Sequence, residues 1–124
     1  MKAGKILTLA AALAILSAGQ ALAENWIPVG YDGSDALYYD ADSVRRQGPL
    51  LAVIGREVEK DGEKEDRYLL FQTEKGMYNE GKVIEYDRQG KIKSVKAHGD
   101  HDTRWRTVEP GSEEDRLLEA IKNL

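Results

Sequence analysis

The 124-residue chain has 22 acidic and 18 basic residues, a net charge of -4 at neutral pH, and no cysteine. The acidic balance argues against a protein that binds nucleic acid or an anionic membrane surface. The lack of cysteine excludes a disulfide scaffold and catalysis by a cysteine nucleophile. A chain of this length favours a single domain.

Residues 1–23 have the pattern of a cleavable secretory signal peptide. Two lysines precede an uncharged apolar stretch at 6–18, and a small-x-small cleavage signal ends at Ala23. The apolar stretch is short for a membrane span, although an uncleaved anchor is the alternative interpretation. We expect a mature domain at 24–124, in the periplasm or outside the cell and not inserted in a membrane. Its 16 basic and 22 acidic residues give a net charge of -6.

The first half of the mature chain predicts four strands, at 25–31, 36–40, 50–60 and 67–74. In the third strand, Leu50, Ala52 and Ile54 face one side. Leu51 and Val53 face the other side. Because both faces are apolar at its start, we expect this strand to begin buried on two sides and to run out into water.

Two features of this half restrict its arrangement. Pro28 lacks a ladder donor, which places the first strand at a sheet edge. The segment 57–66 holds six carboxylates in ten residues. It lacks the oxygen and glycine spacing of a calcium loop, so a charged hairpin tip, with its turn at 61–66, is the favoured interpretation.

The second half predicts a hairpin and a last strand. Residues 82–87 and 91–96 form the hairpin, because a short glycine-containing loop joins them. Residues 75–80 are predicted to be irregular. The last strand is predicted at 103–108, anchored by Trp105.

The chain ends in a predicted amphipathic helix that begins after Ser112. The Ser112 hydroxyl can accept a hydrogen bond from the Asp115 amide, and the Asp115 carboxylate can accept one from the amide of Ser112, the cap residue. One face of this helix is apolar, formed by Leu117, Leu118, Ile121 and Leu124. Strands in sequence followed by a helix favour an α+β fold, in which an antiparallel meander of about six strands has one face packed by the C-terminal helix.

Few residues in the chain have the pattern of a chemical site. His98 and His101, with two neighbouring carboxylates, have metal-ligand side chains, but ligands so close in sequence are typical of a solvated loop. No serine lies in a nucleophile elbow, and no carboxylate lies on a predicted apolar wall. We therefore expect a protein without catalytic residues, metal or cofactor, and an enzyme or metal binder that uses His98 and His101 is the alternative.

Tyrosine and arginine are frequent in the mature chain, and both are enriched in the hot spots of protein interfaces. Packing of the tyrosines at the sheet margins, with wet hydroxyl groups, is the alternative. We expect a protein or peptide partner to bind through the sheet, and a structural or stress-related homodimer is the second possibility. The candidate binding residues are Tyr38, Arg56, Tyr68 and Arg104.

The mature chain also resembles the surface-adhesin protein E family of small exported bacterial proteins. The resemblance rests on short motifs in order over nearly all of 24–124. These are Trp26, Val29-Gly30, Leu37 to Asp40, Asp42-Ser43-Val44, the Tyr86 to Ile92 hairpin, and Trp105 ahead of Pro110-Gly111-Ser112 and the helix.

This resemblance implies an antiparallel sheet of about six strands backed by a C-terminal helix. It also implies a periplasmic or cell-surface binding protein, since the family is named for adhesion to host matrix proteins. Similar proteins often carry a cysteine pair or a lipidated cysteine, and this chain carries neither.

Overall fold

A computed structural model of the protein describes residues 24–97 and 104–124. The predicted leader and the loop containing His98 and His101 lie outside these described residues. In chain order the elements are β1 (Trp26–Asp32), β2 (Asp35–Asp40), a 3-10 turn (Ala41–Ser43), β3 (Arg45–Gln47), β4 (Leu50–Val58), β5 (Lys64–Gln72), β6 (Met77–Tyr86), β7 (Ile92–Lys96), β8 (Arg106–Thr107) and helix α1 (Glu113–Ile121).

The eight strands form one sheet, and the pairings within the described part are all antiparallel. The main order is β1-β2-β4-β5-β6-β7, while β3 pairs with the first part of β4 and β8 pairs with the start of β6. The antiparallel sheet with one C-terminal helix confirms the predicted fold class. The predicted count of about six strands is close to the observed arrangement, because two of the eight are short strands beside this main order.

The centre of the sheet is the β4–β5 pair, whose side chains alternate between two apolar faces. On the first face, Leu51 is opposite Phe71 and Val53 is opposite Leu69. These side chains pack with Leu117 and Ile121 of α1, so we call the side that carries the helix the first face. The second face has its own buried cluster, formed by Leu50, Ala52, Ile54, Tyr68, Leu70 and Ile84. The predicted alternation in β4, and its burial on both sides, are confirmed.

Helix α1 begins at the predicted cap. The Ser112 hydroxyl accepts the Asp115 amide at 3.1 Å. The Asp115 carboxylate accepts a hydrogen bond from the Gly111 amide at 2.8 Å, one residue earlier than the predicted partner. Leu117 and Ile121 are fully buried, whereas Leu124 lies beyond the helix and is 68% exposed. The apolar stripe is therefore shorter than predicted, because the helix ends at Ile121.

An ion-pair network joins the first turn of α1 to the sheet. The Arg67 guanidinium on β5 donates to Glu80 of β6 and, at 2.6 Å, to Glu114 of α1. A third carboxylate, Glu113, lies 3.4 Å from the same guanidinium. Burial lowers the pKa of Arg67, but the surrounding carboxylates outweigh burial and raise it above its ordinary value. Arg67 therefore bridges one carboxylate on β6 and two on α1.

Several strands differ from the predictions. β3 was not predicted, because Arg45–Gln47 contains no apolar residue. β5 starts at Lys64 and β6 at Met77, within segments predicted to be loop or irregular. A bulge interrupts the β5–β6 register between Tyr68 and Leu69, which breaks the period-two pattern of β6.

The predicted last strand also needs correction. β8 has two residues, and Trp105 precedes it and is 38% exposed, so Trp105 does not anchor it in the core. The edge position of β1 is confirmed, with a bulge between Pro28 and Gly30. Over the described residues, α1 is too short to span a membrane, and we find no candidate spanning helix there.

Candidate binding surface

Three of the four predicted binding residues lie together on the second face. Tyr38 of β2 is directly opposite Arg56 of β4, and Tyr68 of β5 is directly opposite Ile54. Arg104 is exposed and lies before β8, outside the regular strands. The strand registers therefore bring Tyr38, Arg56 and Tyr68 together and do not include Arg104.

Arg56 is the centre of this surface. Its Nε and Nη2 donate to the two carboxylate oxygens of Asp66 at 2.7 and 2.8 Å, a bidentate pair between β4 and β5. The guanidinium carbon lies 4.0 Å from the centroid of the Trp26 ring and 5.6 Å from that of Tyr86. Arg56 thus combines an ion pair with contacts to two aromatic rings on strands to either side of the β4–β5 pair.

The ion pair is shielded from solvent, since the Arg56 and Asp66 side chains are 13% and 6% exposed. Burial lowers the pKa of Arg56, but the hydrogen bond and charge of Asp66 outweigh burial and raise it above its ordinary value. The group is therefore a fixed cation at every physiological pH. Its geometry is set before any partner arrives, because the carboxylate and the rings restrict its rotamers.

The aromatic hydroxyl groups beside this pair are neutral donors. Burial, followed by the charge of Asp66, raises the pKa of Tyr68 well above its ordinary value. The same two causes raise the pKa of Tyr86, against the opposing effect of Arg56. The Lys82 ammonium lies 5.3 Å from the centroid of the Tyr68 ring. Tyr68 is buried and Tyr86 is half-buried, so Tyr86 is the ring of the two that presents more surface to solvent.

Exposed apolar side chains surround the buried cluster on the same face. Val95 is opposite Ile84 and Ile92 is opposite Tyr86 in the β6–β7 pair, which places both on the second face. Tyr31 is opposite Ala36 of β2, which is itself opposite Val58. The exposed fractions are 60% for Ile92, 48% for Val95 and 68% for Tyr31. The second face therefore presents apolar surface to solvent at both outer strands.

The two faces of the sheet also differ in charge. By register, the second face carries four basic residues and two carboxylates: Arg45, Arg56, Lys64 and Lys82, with Asp40 and Asp66. The strands of the first face carry six carboxylates and four basic residues: Asp32, Asp35, Glu57, Glu65, Glu80 and Glu85, with Arg46, Arg67, Lys96 and Arg106. The second face is therefore a basic, aromatic surface on a protein of net negative charge.

Among residues 24–97 and 104–124, two clusters of three carboxylates have oxygen atoms close enough together to hold a metal ion. One is Asp32, Glu57 and Glu113, and the other is Glu59, Asp61 and Glu63 in the β4–β5 turn. Oxygen donors of this kind suit a hard divalent cation. The second group is exposed at a hairpin tip, as predicted for this charged segment.

Three residues of the binding surface were not among the predicted ones. Trp26, Asp66 and Tyr86 contact or face Arg56 from β1, β5 and β6. Asp66 is directly opposite Arg56 because β5 begins at Lys64. The sequence pattern places residue 66 in a turn and therefore does not predict this contact. Trp26 and Tyr86 each reach Arg56 across one intervening strand, so no local pattern predicts these contacts.

Comparison with known proteins does not place the chain in a family. No protein-family model matches the sequence, and no match is found among curated proteins or solved structures. The resemblance to the surface-adhesin protein E family therefore rests on the motifs given above and remains a prediction.

Proposed function

We propose that the protein is an exported, non-enzymatic binding protein, similar to the surface-adhesin protein E family, which takes a protein partner on the second face of its sheet. The partner segment that fits this face is apolar and acidic. The observation that carries the proposal is the position of the Arg56–Asp66 pair among aromatic rings on the face opposite helix α1.

The apolar character of the face supports a macromolecular partner. Six buried side chains form its centre, and the helix of the described residues packs on the other face. Exposed apolar side chains lie at both outer strands of this face, and exposed apolar patches are typical of interaction sites. A fixed arginine beside tyrosine and tryptophan has the composition of an interface hot spot.

Charge favours an acidic partner segment. The second face carries twice as many basic side chains as carboxylates, and one of those carboxylates is bonded to Arg56. The other, Asp40, caps the 3-10 turn by accepting the amide of Asp42. An acidic segment would gain from Lys64 and Lys82, whereas a basic segment would meet like charge.

Labelled ten-residue peptides provide the test. One alternates glutamate with leucine or valine, and the second has lysine in place of each glutamate. Fluorescence anisotropy with the purified protein is expected to show binding of the glutamate peptide and not of the lysine peptide. Ile92→Glu and Val95→Glu should each weaken this binding at least about tenfold, because they add like charge to the apolar surface.

Leu124→Glu is the matched control, since it makes the same change at an exposed apolar residue beyond α1. Equal loss of binding in this control, or equal binding of both peptides, would contradict the proposal. Light scattering after size exclusion checks the second possibility. A wild-type dimer that Ile92→Glu converts to monomer would assign the face to a second copy of the chain instead. Binding of the protein to anionic vesicles and not to the glutamate peptide would likewise contradict the proposal of a protein partner.

Tyr68→Ala is unsuitable as a binding test. Tyr68 belongs to the buried cluster of the second face, so removing its ring would create a cavity and lower stability. Tyr68→Phe removes only the hydroxyl group and is the better variant at this position.

A further inference from the structure

Two of the four basic side chains on the second face are already engaged by groups of the protein itself. Arg56 forms its two hydrogen bonds with Asp66. Arg45 donates to two backbone carbonyl oxygens of the neighbouring turn, at 2.7 and 2.8 Å. Because these donors already have acceptors, less of the hydrogen-bonding capacity of the two arginines remains for a partner.

The other two basic side chains, Lys64 and Lys82, have no carboxylate partner among the described residues. Neither ammonium group forms a hydrogen bond or an ion pair within 24–97 and 104–124. Both lysines are half-buried, and a half-buried ammonium group has already lost part of its hydration. A carboxylate that reaches it therefore displaces less water than it would at an exposed lysine.

The carboxylates of the same face are engaged elsewhere. Asp66 accepts both hydrogen bonds from Arg56, and its side chain is 6% exposed. Asp40 accepts the amides of Asn25 and Asp42, each at 3.0 Å. The unpaired positive charge of the second face is therefore concentrated at two lysines.

The strand register fixes the spacing of these two lysines. In the β5–β6 pair, Lys64 is opposite Tyr86 and Lys82 is opposite Tyr68, and the pairing is regular between these two rows. Four residues along a strand span about 13 Å and neighbouring strands lie about 4.8 Å apart, so the two lysine Cα atoms are about 14 Å apart. The Lys82 ammonium lies 5.3 Å from the centroid of the Tyr68 ring, and this contact restricts its position on the face.

The row midway between the lysines is apolar towards the outer strand. Ile84 of β6 is directly opposite Val95 of β7, which is 48% exposed. On its other side Ile84 is opposite Asp66, whose charge is paired with Arg56. A ligand that spans both lysines therefore passes over an apolar row and meets no unpaired carboxylate there.

Building on the proposed function, on which this inference rests, we propose that the partner segment binds in an extended conformation along β5 and β6. Two acidic side chains of the segment, four residues apart, contact Lys64 and Lys82. An apolar side chain midway between them contacts Ile84 and Val95. In an extended chain these three side chains share one face, and the outer two are about 13 Å apart. In a helix the same spacing covers only about 6 Å along the axis, which is too short to reach both lysines.

Two ten-residue peptides of identical composition test this spacing. Each contains two glutamates and one leucine, and its other residues are serine. In the first peptide the glutamates are four residues apart with leucine midway, and in the second they are two residues apart with leucine beyond them. The peptides have equal charge, so general electrostatic attraction does not distinguish them. Fluorescence anisotropy is expected to show about three- to fivefold tighter binding of the first peptide, which is the effect of one additional ion pair.

Variants of the two lysines test which side chains recognise the spacing. Lys64→Gln and Lys82→Gln should each bring the ratio of the two affinities close to one, because a single cation then remains for two carboxylates. Lys75→Gln is the matched control, since it removes the same charge from an exposed lysine after β5. It should keep the wild-type ratio. Because the ratio compares two peptides on one protein, a general loss of charge or stability does not imitate the expected change.

The outcomes separate this inference from the function on which it rests. Equal binding of the two peptides, while the alternating glutamate peptide still binds, would overturn the inference and leave the proposed function standing. Binding of the alternating glutamate peptide alone would do the same. A ratio that stays at the wild-type value in both Lys64→Gln and Lys82→Gln would also overturn the inference, since other side chains would then recognise the spacing. If the alternating glutamate peptide does not bind, the proposed function and the inference both fail.

Discussion

Arg56 has a structural role as well as a predicted role in binding. The guanidinium and the Asp66 carboxylate are both shielded from solvent, and their two hydrogen bonds satisfy each other. Removal of one member leaves the other buried without a partner, and this cost exceeds the net value of the pair. Substitution of Arg56 is therefore expected to lower the stability of the fold, whatever its effect on binding.

Arg56→Met should lower the free energy of unfolding by about 3–5 kcal/mol, because Asp66 then remains buried without its cation. The double variant Arg56→Met with Asp66→Leu should recover most of this loss, since it removes both charges. Urea denaturation followed by tryptophan fluorescence measures both changes.

The Lys93–Glu63 pair is the control for an exposed ion pair, with side chains 47% and 28% exposed. Lys93→Met should leave the free energy of unfolding nearly unchanged, because water screens this exposed pair. A similar loss in the free energy of unfolding for Arg56→Met and Lys93→Met would show that the buried pair stabilises the fold no more than the exposed pair does.

Residue patterns predicted part of this surface. Tyr38, Arg56 and Tyr68 were selected for residue type, and the period of two in β4 places Arg56 with the apolar residues of the second face. Their grouping with Trp26 and Tyr86 depends on strands that are distant in sequence. Residue type alone also selected Arg104, which the strand registers do not bring to this surface.

The packing of α1 on the sheet depends on a glycine in β4. A Cβ atom placed on Gly55 would lie 2.8 Å from Leu117 Cδ1. Gly55 is buried, and Leu117 belongs to the core of the first face. The helix can therefore approach the sheet closely at this point because residue 55 has no side chain.

Gly55→Ala is expected to lower the free energy of unfolding by about 1–3 kcal/mol, because the added methyl group overpacks this contact. Leu117→Val makes room beside residue 55 but is itself destabilising. The double variant should lose less stability than the sum of the losses in the two single variants. Chemical denaturation of the wild type and the three variants measures these losses. Strict additivity would mean that the helix does not press on residue 55.

Elements with a clear period were predictable, and elements with polar or interrupted patterns were not. The hairpin of β6 and β7 and the start of β4 follow a period of two in apolar residues, and both were predicted. β3 has only arginine and glutamine, so its pattern does not predict a strand, and the start of β5 is charged and is predicted to be a turn. Their strand conformation comes from pairing with β4, which is a tertiary effect.

At the scale of the whole molecule, the sheet has apolar clusters on both faces and a C-terminal helix on one. Both clusters are built from residues between Trp26 and Ile121. No cysteine is available to link the elements, so packing and hydrogen bonds hold the fold. A domain of this size buries about two-thirds of its unfolded surface, and its stability should be modest.

The chain from 24 to 124, produced without the first 23 residues, should fold cooperatively. We expect one urea transition with a free energy of unfolding of about 5–10 kcal/mol. Circular dichroism and tryptophan fluorescence should give coincident transitions. A gradual loss of signal, or transitions that differ between the two probes, would show that residues 24–124 are not an independent domain.

The two outer strands of the sheet disfavour edge-to-edge pairing between the sheets of separate molecules. β1 contains Pro28 beside a bulge, and β7 contains Lys93 and Lys96. Neither edge offers a flat, uncharged ladder to a neighbouring strand. Crowded molecules of this protein should therefore resist growth into ribbons or fibrils, although no covalent link protects their sheets.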